Sequence, residues 1–171
     1  MLSENIQQAL NKQLNAEFLS AYTYLSVAAY FEGLDLNGFA HWMKIQYQEE
    51  LMHAERIYTF INDRDGRVLL QALDTPQSEW DSPLAAFKFA LEGERALSEK
   101  IYAVVDAALA ERDHATHTFM QWFVNEQVEE EAIVRDIVSD MERVSESRDG
   151  LFLMDRDLAG RSSQQGREGA N

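Results

Sequence analysis

Proline occurs at only two positions in this chain, Pro76 and Pro83, and both fall in one stretch. A proline inside a helix removes a hydrogen-bond donor and clashes with the preceding turn, so the sequence on either side is free to run in long helices. Four periodic blocks use that freedom. The first runs from about Ser3, an N-cap residue whose capping-box partner is missing because Ile6 stands in its place, to a stop at Glu32-Gly33. The second runs from about Asn37 to Asp63, after the turn GLDLNG, which is short enough to make the two pack antiparallel. A third block opens with Pro83 in its first turn and covers about Ser82 to Leu109, and a fourth covers about Asp113 to Val144. Between the second and third lies NDRDGRVLLQALDTPQSEWDSP, which has no sustained period. Extended, it spans roughly 60 Å, enough to run the length of a helix. The expected fold is all-α: a four-helix bundle with one long crossover. RDGLFLMDRDLAGR, apolar at Leu151, Phe152, Met154 and Leu158, predicts a short fifth helix in need of something to pack on. Residues 1–160 then form a single domain, and 161–171 a flexible tail.

Composition removes several classes of chemistry. Of 171 residues none is Cys, which excludes disulfides, thiolate metal sites and cysteine nucleophiles and suits a reducing compartment. The opening MLSENIQQALNKQ has no secretion-signal pattern, and no apolar run approaches a membrane span. The expectation is a cytoplasmic protein without a membrane partner. Fifteen basic against 30 acidic residues give a formal charge of −15, which repels nucleic acid and draws cations.

The positions of the acids carry more than their number. The heptad-like seam of the first helix reads Leu10, Leu14, Glu17, Ala21, Tyr24, Ala28, Phe31; the second reads Phe39, Trp42, Gln46, Glu50, His53, Ile57, Phe60. The third reads Leu84, Phe87, Leu91, Glu94, Ser98, Ile101, Val105, and the fourth Met120, Phe123, Gln127, Glu130, Val134, Ile137, Met141, Val144. A single such Glu is most simply a surface residue on a misjudged register. All four helices place one at mid-length, however, so packing gathers Glu17, Glu50, Glu94 and Glu130 in one interior layer with no seam Lys or Arg to neutralise them. Protonation and metal are the two ways out, and His53 one turn from Glu50, with Gln127 as a further polar ligand, favours metal. Two divalent cations cancel the four charges, as do two ferric ions sharing one oxide. Carboxylate oxygen with one imidazole suits iron or manganese.

Di-iron bundles take one Glu from each of two helices and Glu-x-x-His from each of the other two. This chain has the first such motif, Glu50-Leu51-Met52-His53, but Gln127-Val128-Glu129-Glu130 in place of the second. One metal then has the imidazole and the other oxygen ligands alone, an asymmetric centre whose second metal is held more loosely. Glu49, Glu126 and Glu129 lie beside the seam, where they form either a third, oxygen-only cation position or a solvated acidic face. Tyr24 is either a core tyrosine bonded to a buried carboxylate or a one-electron donor to oxidised iron.

In LNAEFLSAYTYLS, EELMHAER, LEGER, FVNEQVEEE and GLFLMDRDLA the chain resembles the non-haem bacterial ferritins, from Leu2 to Ala159. The resemblance implies ferroxidase ligands at Glu17, Glu50, His53, Glu94, Gln127 and Glu130, a third iron site at Glu49, Glu126 and Glu129, and the family tyrosine at Tyr24. It implies a hollow homo-oligomer of twenty-four chains that oxidises Fe(II) with dioxygen or hydrogen peroxide and stores ferric mineral, the fifth helix packing at the four-fold axis. Bacterioferritins have a haem-ligating Met directly after the seam Glu, where Leu51 stands here, so no haem is expected. The acidic pair that lines the three-fold pores of animal ferritins is replaced by His117 and Met120, and His114 and His117 read as surface or interface residues rather than ligands. Two other readings compete. A di-iron oxidase or peroxidase on the same bundle would turn over without storing iron, though rubrerythrins add a cysteine-rich site that this chain lacks. An acidic structural bundle would bind cations passively.

Overall fold

A computed structural model describes residues 2–144 and 147–162. Its helices are α1 (Glu4–Gly33), α2 (Asn37–Asp63), α3 (Pro83–Ala110), α4 (His114–Val144) and α5 (Arg148–Leu158), with no strand among the described residues. The expected four-helix bundle with a long crossover and a short fifth helix is the fold observed. Ser3 Oγ accepts the Ile6 N–H at 3.2 Å and Ser82 Oγ that of Ala85 at 3.1 Å, so hydroxyls satisfy exposed donors at the starts of α1 and α3. The stop expected at Gly33 is made elsewhere. Gly33 is still helical, and Asp35 takes the left-handed conformation, as Asp65 and Arg112 do after α2 and α3. In each case the next N–H reaches back to a carbonyl five residues earlier: Leu36 to Phe31, Gly66 to Ile61 and Asp113 to Ala108.

The crossover rides along α1 in a fixed register. Gln7 accepts the N–H of Arg67, Asn11 that of Leu69, and Asn15 that of Gln71, while Asn11 and Asn15 donate to the carbonyls of Arg67 and Leu69. Four helical residues rise about 6 Å and two extended residues about 6.6 Å, so amides spaced four apart on α1 match alternate residues of the crossover. Farther along, Tyr30 donates to the Trp80 carbonyl at 3.1 Å. The crossover therefore ends beside the C-terminal half of α1, α3 starts there, and the chain closes into the bundle with Glu111, at the far end of α3, accepting from Ser3 and Asn5.

Two apolar clusters fill the interior. One holds Phe31, Phe39, Trp42, Phe87, Leu91 and Val134; the other holds Ile6, Leu10, Leu14, Ile57, Ile101 and Phe123. The polar layer lies between them. Near the helix ends the expected alternation of steps breaks: Phe60, Val105 and Ile137 are half-buried, whereas Ile61, Val104 and Val138 are buried. A straight helix drifts from a strict seven-residue repeat by about 20° per heptad, which moves the buried stripe onto a neighbour.

α5 packs Leu151, Met154 and Leu158 on the first cluster and leaves Phe152 and Leu153 exposed. Asp155 Oδ1 accepts the N–H groups of Gly38 (2.8 Å) and Phe39 (3.1 Å), capping α2, whose own N-cap residue Leu36 supplies no side-chain bond. A Cβ at residue 38 would lie 1.6 Å from the Asp155 carbonyl oxygen, so this approach requires Gly38. No helix of the described residues is long and apolar enough to cross a membrane. Most of the expected tail, residues 163–171, lies outside the described residues.

Candidate metal centre

The four seam glutamates are buried in the layer between the clusters: Glu17 on α1, Glu50 on α2, Glu94 on α3 and Glu130 on α4, each at most 1% exposed. Glu17, Glu50 and His53 offer ligand atoms within 4.8 Å of one another, the one such group of three or more among the described residues. His53 Nδ1 faces the two carboxylates, 3.7 Å from Glu50 Oε2 and 4.0 Å from Glu17 Oε2. The imidazole is held edge-on between Trp122 and Phe123, with ring centroids 5.3 and 6.0 Å away.

Glu94 belongs to a second set. It accepts from the Tyr24 hydroxyl on one oxygen and from Gln127 Nε2 on the other, the latter at 3.0 Å, and Gln127 also reaches the Glu94 carbonyl and Ser98 Oγ. This is the buried-carboxylate role open to Tyr24. Glu130 Oε2 accepts from Gln46 Nε2 at 2.9 Å, and Glu17 Oε1 accepts from Gln13 Nε2 at 2.8 Å. Neither amide is among the site residues expected from the sequence. Gln13 lies four residues before Glu17, a spacing that puts both on one helix face, and could have been found on that ground.

What the amides leave undone identifies the chemistry. Glu17 Oε2, both oxygens of Glu50, Glu130 Oε1 and His53 Nε2 are buried and find no N–H or hydroxyl partner among the described residues. Buried polar atoms without partners are rare because each costs about 1–3 kcal/mol. Burial, and then the neighbouring charge, pushes the carboxyl of Glu17 well above the usual range, the neighbour being Glu50, and that of Glu50 likewise, the neighbour being Glu94. Burial also raises Glu94. Burial with Glu94 and Glu49 raises Glu130 from 4.5 to about 7, against the opposing pull of Gln46 and Arg161. Burial and the adjacent Glu94 push the Tyr24 hydroxyl well above 10. Burial and crowded like charge thus favour protons on these carboxyls. A metal ion would replace the protons, and the donor set of carboxylate oxygens with one imidazole fits iron.

The three acids beside the seam are not gathered in the same way. Glu49 is buried and ion-paired to Arg161 at 2.8 Å, Glu126 is half-buried, and Glu129 is exposed. No local sequence pattern marks Arg161 as a partner of Glu49, for 112 residues separate the two. His114 is exposed and His117 half-buried.

A small pocket of about 170 Å³ lies between α1 and α3, with Tyr24 and Glu94 in its wall beside Ala16, Val27, Ala90 and Gly93. Its lining is mainly apolar, with Lys100 as its one cationic residue.

Residues 7–144 match the family of the ferritin-like domain. Over 161 residues the chain is 42% identical to a bacterial non-heme ferritin of Bacteroides fragilis, covering 94% of this chain and all of that one. It is 35% identical to one of Staphylococcus aureus over 162 residues, 95% of this chain and 98% of the relative. Among solved structures, an open-pore ferritin of Archaeoglobus fulgidus superposes with a TM-score of 0.94 at 48% identity, covering 95% of this chain and 100% of that one. A closed form of that ferritin made by site-directed mutagenesis superposes with a TM-score of 0.94 at 47% identity, covering 95% and 99%.

Proposed function

This chain belongs to the ferritin family, and from that premise we propose that it stores iron by oxidising Fe(II) at the buried centre and depositing ferric oxyhydroxide inside a hollow shell of its own copies. The observation that carries the reading is the layer of four buried glutamates with carboxylate oxygens left unpartnered and His53 Nδ1 turned toward two of them. Fe(II) is the substrate. Glu17, Glu50 and His53 hold one ion, and Glu94, Glu130 and Gln127, with Glu50 between the two groups, hold the second through oxygen alone.

The protein's part is to bind, orient and desolvate. Two Fe(II) ions enter as four positive charges against four carboxylates, releasing the protons that burial had retained. Each ion gives up one electron, and the pair with two protons reduces dioxygen to hydrogen peroxide or hydrogen peroxide to two waters. The mainly apolar cavity beside Tyr24 and Glu94 suits a small neutral oxidant, and Lys100 there opposes a cation. Cations are drawn instead to the acidic side of α2 and α4, where Glu49, Glu126 and Glu129 supply a third position. Tyr24, bonded to Glu94, is placed to lend an electron when the oxidant outruns the iron supply. The lack of a second imidazole leaves the oxygen-only ion the more mobile of the two, which favours onward transfer to mineral.

The relatives in Archaeoglobus fulgidus are an open-pore ferritin and a closed form of it, and this chain exposes apolar residues that could meet other copies. Leu69, Leu70 and Leu73 on the crossover and Phe152 and Leu153 on α5 are 40–66% exposed. A twenty-four-chain shell and a cytoplasmic location complete the reading, with no haem in the centre. The test is Fe(II) oxidation by Glu50→Ala and His53→Ala variants followed optically. Each is expected to lose the fast phase while still assembling, and an unchanged initial rate in either would refute the assignment.

A further inference from the structure

The C-terminal segment brings a cation of the chain's own to the edge of the metal centre. After α5 the chain turns back over α2, and the Arg161 carbonyl accepts from His41 Nε2 at 2.9 Å. The Arg161 guanidinium lies 4.4 Å over the Trp42 ring, and its Nη2 donates to Glu49 Oε2 at 2.8 Å. Its side chain is 15% exposed and that of Glu49 4%. Nη1 is buried without a hydrogen-bond partner among the described residues, so the fork is not fully used by Glu49. Glu130 keeps one buried oxygen without a hydrogen-bond partner among the described residues. A positive charge therefore stands against Glu49, which is next in sequence to the seam ligand Glu50.

We propose that Arg161 is a built-in occupant of the third cation position, its guanidinium standing where an ion held by Glu49 would sit, so that each bundle binds two ions until Arg161 is displaced. The inference rests on the di-iron reading and deepens it. A delocalised guanidinium is weakly hydrated and sits well over an indole face, which makes it a better resident of this wall than a lysine. It compensates Glu49 in the metal-free protein, and a third cation must displace it from both Glu49 and Trp42. Arg161 then sets when the position beside Glu49 becomes available.

The experiment is anaerobic calorimetric titration of the assembled, metal-free, full-length protein with Fe(II), comparing the wild type with Arg161→Gln and with Arg161→Met, which keeps a long side chain over Trp42. The wild type is expected to take up two ions per chain. Both variants are expected to take up a third at least ten-fold more tightly than the wild type takes any beyond two, and adding Glu49→Gln to Arg161→Gln should remove it again. Two ions in wild type and in both variants, or a third ion that survives Glu49→Gln, would overturn the role of Arg161 and leave the centre intact. Fewer than two ions in the wild type would instead overturn the di-iron reading.

Discussion

Replacing Glu130 by Gln should stabilise the metal-free protein at neutral and alkaline pH and leave it unchanged in acid. The buried acid holds its proton up to about pH 7, against 4.5 for an ordinary glutamate. Below 4.5 the carboxyl is protonated whether the chain is folded or not, and burial costs nothing on this account. Between the two values the unfolded chain releases a proton that the folded one retains, so stability falls by about 1.4 kcal/mol per pH unit as pH rises. Above 7 the fold must bury a carboxylate, at a total cost of about 3 kcal/mol from this residue alone. Glu17, Glu50 and Glu94 are raised for the same reason and steepen the wild-type slope in the same direction. Glutamine keeps the acceptor for Gln46 and carries no charge at any pH. Denaturant unfolding of the wild type and Glu130→Gln at one protein concentration, at about pH 4, 6 and 8, should give curves that coincide in acid and separate by about 3 kcal/mol at the alkaline end. Zinc added to the wild type should flatten its slope, because cations then take the place of the protons. Parallel curves for the two proteins would refute the reasoning.

Asn15→Ala removes a side chain that serves the Leu69 carbonyl and the Gln71 N–H together, and should cost about 2 kcal/mol in denaturant unfolding; no measurable loss would mean that the crossover is held by its ends alone. At residue 93 a Cβ meets nothing within 4 Å, so Gly93→Leu has room to reach into the cavity beside Tyr24 and Glu94. Stopped-flow oxidation should slow several-fold while anaerobic Fe(II) binding stays as in the wild type, and an unchanged oxidation rate would exclude the cavity as the oxidant's path.

The sequence carries the helix spans and the four mid-helix glutamates legibly, because both follow from periodicity within a single element. Glu17, Glu50, Glu94 and Glu130 occupy the buried layer expected of them, since a seam position faces inward whatever its chemistry. What escaped depends on contacts between distant segments. The pairing of Glu49 with Arg161 and the capping of Gly38 and Phe39 by Asp155 join residues more than a hundred apart, and no local pattern marks either partner. Helix ends differ in a smaller way: Gly33 is the expected stop, yet the left-handed residue is Asp35, a type that tolerates that conformation through its short polar side chain. The amides Gln7, Asn11 and Asn15 stand between these cases, for their four-residue spacing is visible in the sequence but its match to an extended crossover emerges only once the two lie side by side.

The most direct test of the account is to load the metal-free protein with Fe(II) in air, separate the particle by size and count the iron that travels with it. The account expects a particle many times the mass of one chain, carrying far more iron than its carboxylates could ligate, with uptake abolished by Glu50→Ala. Oxidation that stops at a few irons per chain on a small oligomer would contradict storage and leave a di-iron oxidase in its place.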